Sequence, residues 1–69
     1  MSYDENLIIE ELKKHLTGLD VSVDFNQVLA SVEIVDGFTV FNMLGDGFVF
    51  IGNTLIDVMP GWKSGGIKR

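Results

Sequence analysis

Four small groups of residues in this chain have the types that could do chemistry. His15 is the lone histidine, and an imidazole can serve as a general base near neutral pH. It has no fixed carboxylate partner evident in the sequence and occupies the last turn of a helical pattern, so it reads as a capping or packing residue. Glu10 and Glu11 could share a proton as an acid pair, but adjacent helical residues point in different directions. They read as a solvated face. Asp20, Ser22 and Asp24 alternate, which would set their oxygens on one side of a strand. A hard cation takes six or more oxygens, usually from a loop that wraps it, so these too read as a solvated strand face. Gly45-Asp46-Gly47 resembles a phosphate-cradling loop only in its glycines. It lacks the lysine of GxxxxGK[ST] and a following helix, which leaves a hairpin turn, and Gly65-Gly66 is no better. Cysteine is absent, removing thiolate nucleophiles and the usual zinc ligands. The expectation is a protein that is not an enzyme, with no catalytic, cofactor-binding or metal-binding residues and no cofactor.

The elements that would hold these groups follow from periodicity. Ser2 and Glu5 fit a capping box, and Leu7, Ile8, Leu12 and Leu16 recur at helical spacing, with Glu10 and Lys14 as an i, i+4 pair. Gly18 suits the C′ position. The spacing predicts a helix over about residues 3–17. Val21 to Phe25 alternates as a half-buried strand does, and Val28, Ala30, Val32 and Ile34 fall on one side of a second strand. Asp36-Gly37 matches a two-residue hairpin loop. Strands over 38–44, 48–51 and 54–59 follow, separated by Gly45-Asp46-Gly47 and Gly52-Asn53, and Pro60 ends the sheet. The predicted fold is α+β, an N-terminal helix packed on a four- or five-stranded antiparallel meander, with a small closed barrel as the alternative. Residues 1–60 form the single domain, and 61–69 form a basic, glycine-rich C-terminal tail that is irregular unless Trp62 docks.

Residues 38–59 raise a question of cover. Of these 22 residues, 13 are Phe, Val, Ile, Leu or Met, and the apolar side chains fall on both sides of each strand. One helix covers about one face of such a sheet. The other face would expose more apolar surface than a monomer usually does, and a chain of 69 residues buries only about 60% of its unfolded surface. Association with a protein partner or with copies of itself is expected, through Phe41, Met43, Val49, Ile51, Ile56, Val58 and Trp62. From His15 to Trp62 there is no lysine or arginine, so the usual guard of exposed sheet edges is missing.

Charge narrows the partner. Ten acidic and two basic residues leave residues 1–59 at −8, while Lys63, Lys68 and Arg69 put +3 on the last ten. Such a body repels nucleic acid and attracts basic proteins, so direct nucleic-acid binding by the folded part is not expected. Asp4, Glu5, Glu10, Glu11, Asp20, Asp24 and Glu33 are the acidic contact candidates. No apolar run reaches the length of a membrane span, and the N-terminus lacks a signal-peptide pattern. The expected setting is the cytoplasm of a cell or of an infected host. The function expected is a small, acidic interaction module, an inhibitor or adaptor of the kind phages and mobile elements encode. A structural homo-oligomer such as a virion or assembly component is the alternative.

Overall fold

The computed structural model describes residues 3–62. Two helices, α1 (Glu5–Lys14) and α2 (Phe25–Ala30), precede four strands, β1 (Glu33–Val35), β2 (Phe38–Met43), β3 (Asp46–Ile51) and β4 (Thr54–Met59). The strands pair antiparallel in chain order, giving the α+β meander expected from the sequence. The sheet stays open and does not close into a barrel.

The first helix is shorter than the 3–17 span expected. Its N-cap is Asp4, whose carboxylate accepts from the Asn6 N–H at 2.8 Å, the oxygen-to-orphan-donor geometry that starts helices. Ser2 lies outside the described residues. The Asp4 N–H in turn donates to Asn53 Oδ1 at 2.6 Å, tying the helix start to the β3–β4 turn. Past Lys14 the chain continues in turns to Gly18, with φ of +86°, where the Leu19 N–H returns to the Leu16 carbonyl at 2.9 Å. The ion pair on the helix is Glu11–Lys14 at 3.0 Å and not the expected Glu10–Lys14.

The region 21–34 departs from expectation. No strand forms over Val21–Phe25, and the first half of the second predicted strand is α2, while its end, Glu33 and Ile34, lies in β1. Two signals competed here. Alternation at 28, 30, 32 and 34 suggested a strand, but Phe25, Val28, Leu29 and Val32 also stand at helical spacing, and all four pack into the main core. Asp24 decides the outcome by accepting from the Asn26 N–H at 3.0 Å as the α2 N-cap. Spent on a cap and sitting in irregular chain, it leaves the supposed Asp20–Ser22–Asp24 strand face unformed.

Ser31, the C-cap of α2, joins helix to sheet. Carrying the β1–β2 register back two residues sets position 31 opposite Asn42. There the Ser31 hydroxyl, rather than a backbone carbonyl, accepts the Asn42 N–H at 2.9 Å and donates to the Val28 carbonyl at 2.6 Å.

Both helices cover one face of the sheet. Ile8, Leu12 and Val28 bury against Phe41, Met43, Phe48 and Phe50. The Phe41 ring meets Tyr3 and Phe50 edge to face, with centroids 5.5 and 5.6 Å away, a geometry that adds to simple area burial. His15 packs edge to face on Phe48 at 5.3 Å.

Candidate docking surface

The face turned away from the helices is built by register. In β2 and β3, Val40 pairs with Val49 and Phe41 with Phe48. Phe38, Val40, Val49 and Ile51 therefore share the outer face, and Phe41, Met43, Phe48 and Phe50 share the inner one. A two-residue loop, Leu44-Gly45, sets this register, with φ of +55° and +82° as such hairpin loops demand. The sequence reading had made the loop Gly45-Asp46-Gly47. A slip of one residue moves side chains to the opposite face. The apolar interface candidates consequently mix both faces: Phe41 and Met43 are buried beneath the helices, and Val58, opposite Phe48, joins that core. Only Val49, Ile51, Ile56 and Trp62 belong to the outer side.

Trp62 covers one end of that side. It is buried with Val40 and Val49, and its ring lies on Gly47, where a methyl group would stand 2.6 Å from the indole Cγ. That is closer than any real contact, so only glycine admits the ring. Two hydrogen bonds hold the backbone there. Asn42 Nδ2 donates to the Trp62 carbonyl at 2.6 Å, and the Gly61 N–H donates to Asp46 Oδ1 at 3.1 Å. The indole N–H itself is buried and has no acceptor among the described residues. The rest of the basic tail, 63–69, lies outside the described residues.

Beyond Trp62 the outer face opens into a groove of about 300 Å³ lined by Val35, Phe38, Val40, Val49, Ile56 and Met59, with Asp36 and Asp57. Phe38 is 37% exposed and Ile56 46%. The groove owes its shape to β4. Pairing runs Gly47 with Met59 to Val49 with Asp57, then shifts so that Phe50 meets Leu55, which leaves Ile56 as an extra residue. A bulge of this kind re-aims side chains, and here it sets an apolar and an acidic residue side by side on the groove wall. Asp57 Oδ1 accepts the Val58 N–H at 2.8 Å. This edge is thus blunted by a bulge and a carboxylate, in place of the lysines the sequence lacks.

No family model, curated protein or solved structure matches the chain.

The acidic candidates do not converge on the groove. Asp4, Glu5, Glu10 and Glu11 lie along α1, Asp20 and Asp24 in the connection to α2, and Glu33 on β1 opposite Val40. The acids at the groove are Asp36, in the β1–β2 turn, and Asp57. Sequence reasoning treated both as turn and strand residues. The bulge that aims Asp57 has no sequence signal. Asp36 carried one, because its Asp-Gly turn also fixes which face Phe38 takes. A second cleft of about 360 Å³, between α2 and β2, is lined by Ser22, Asp24, Gln27, Ser31, Asn42 and neighbouring apolar groups. Its Asp24 and Ser31 are already engaged in the cap and the ladder. Among the described residues no cluster of His, Asp and Glu is arranged to hold a metal ion, and no helix is long and apolar enough to cross a membrane.

Proposed function

We propose that this chain is a non-enzymatic protein-interaction module that presents its outer sheet face to a protein target, as an inhibitor or adaptor. One observation carries the reading. Among the described residues two helices cover the inner face, whereas the outer face, where Trp62 packs on Val40 and Val49, keeps a groove with six apolar residues in its lining. Exposed apolar patches of this kind mark interaction sites. Its Met and Phe residues are types enriched at interfaces. The acidic charge of the body, −5 for the whole chain, favours a basic target through long-range steering.

The test is affinity capture from extract of the source organism, using the intact chain beside two variants. Phe38→Ser with Ile56→Ser alters the groove, and Glu10→Lys with Glu11→Lys alters the helix side. The groove variant should lose the captured partner while the helix variant keeps it. Retention by the groove variant, or no captured partner at all, discards the proposal. Sedimentation of the purified chain separates this reading from self-assembly, because a concentration-dependent oligomer abolished by the groove substitutions would favour the structural alternative.

A further inference from the structure

Resting on that reading, we infer that the outer groove recognises a segment of another protein in which a large apolar side chain is bracketed by lysine or arginine. The groove is the size of one or two large side chains, about 300 Å³, so it fits an anchor rather than a broad flat surface. Its lining is apolar except at Asp36 and Asp57. Asp36 belongs to the β1–β2 turn and Asp57 to the β4 bulge, so the two carboxylates come from different strand pairs around the apolar floor.

The cations among the described residues are Lys13 and Lys14 on α1, on the far side of the sheet. Lys14 pairs with Glu11 at 3.0 Å and Lys13 stands over the Phe25 ring at 5.9 Å. No lysine or arginine occurs from residue 15 to 62, so among the described residues no cation stands on the outer face beside Asp36 and Asp57, whose field there is negative. Charge complementarity then selects a basic flank, and the apolar floor selects what sits between the charges. Strand addition along β4 is disfavoured, because the bulge interrupts the ladder and Asp57 already takes the Val58 N–H.

The test uses the intact chain and fluorescein-labelled peptides in an anisotropy titration. The probe carries an isoleucine–tryptophan pair flanked by lysines on both sides. One control replaces the lysines by glutamates, and the other replaces the apolar pair by serines. The probe should bind at least about tenfold more tightly than either control, and should weaken severalfold as salt rises from about 50 to about 500 mM. Asp36→Asn with Asp57→Asn should cost about tenfold and flatten the salt dependence. Asparagine tolerates the positive φ of +52° at position 36 and still offers an oxygen to the Val58 N–H. Ile56→Ser should abolish binding, and since Ile56 is an exposed bulge residue the urea midpoint should stay within error. Equal binding of the glutamate control, indifference to either variant, or no binding of the probe overturns the inference. If the probe fails while the groove variant still loses its captured partner, the interaction reading stands and only the partner chemistry is wrong.

Discussion

Trp62 seats its indole directly on the Cα of Gly47, with room for no atom between them: a Cβ there would meet the ring Cγ at 2.6 Å and Cβ at 2.7 Å. The two residues come from different strands' ends, Gly47 from β3 and Trp62 from just past β4, and together they close one end of the outer face.

Gly47→Ala should therefore lift the ring or push the strand. The clash is of the overpacking kind, which costs about 1–3 kcal/mol. Urea denaturation gives the loss in stability. Trp62 is the single tryptophan, so its emission should shift to the red in the folded variant. An unshifted spectrum with full stability would show that the seat is looser than the distances indicate.

The buried indole N–H has no acceptor among the described residues, and an unmade hydrogen bond of this sort costs about 1–3 kcal/mol. Trp62→Phe removes that donor along with part of the ring, so the two effects offset and the net change should be within about 1 kcal/mol. Trp62→Ala keeps none of the packing and should cost about 3 kcal/mol. Equal losses for the two variants, read from denaturant midpoints, would mean that the N–H finds an acceptor in solution.

Ser31→Ala leaves the Asn42 N–H without its partner at a half-buried position. The expected loss is about 1–2 kcal/mol. Amide exchange at Asn42 should accelerate more than exchange in the middle of β3, since the damage is local to the α2–β2 junction.

Leu44 holds a φ of +55°, which costs an ordinary L-residue about 1–2 kcal/mol. It is also 53% exposed, so it gains little burial in return. Leu44→Asn makes the loop Asn-Gly, the pair such turns favour, and should raise stability by about 1 kcal/mol. A lower midpoint would mean that the leucine side chain packs more firmly than its exposure implies.

The β-meander was legible because Asp36-Gly37 and Gly52-Asn53 mark two of its loops and Gly45 part of the third, and β4 was placed at 54–59 to the residue. What the sequence hid was parity. Leu44 is not a turn residue by type, so the loop was read one position late and Phe41 was grouped with Val49 instead of Phe48. Ile56 looks like any strand isoleucine; only the paired register shows that it has no partner. Around α2, alternation over 28–34 and helical spacing over 25–32 overlap, and Asp24 reads as a strand-face oxygen where it is a cap. The groove was thus anticipated as an uncovered apolar face, whereas its acidic flank was not.

Helix α1, tied to the β3–β4 turn by the hydrogen bond from Asp4 to Asn53, is expected to dock after the hairpins have formed. Every strand joins its neighbour through a two-residue loop, so the hairpins form from nearby residues and form early. The seat of α1 joins positions 49 apart, and closing so long a loop adds entropy cost before any contact rewards it. Helix α1 is made before the β3–β4 hairpin against which it docks. Leu12→Ala should accordingly speed unfolding and leave the refolding rate nearly unchanged in stopped-flow measurements; a matching slowdown of refolding would put α1 in the nucleus instead. Until that late docking step, Phe41 and Phe50 lack the cover of Ile8 and Leu12, and the sheet is at its most adhesive once the hairpins have formed and α1 has not yet closed over them.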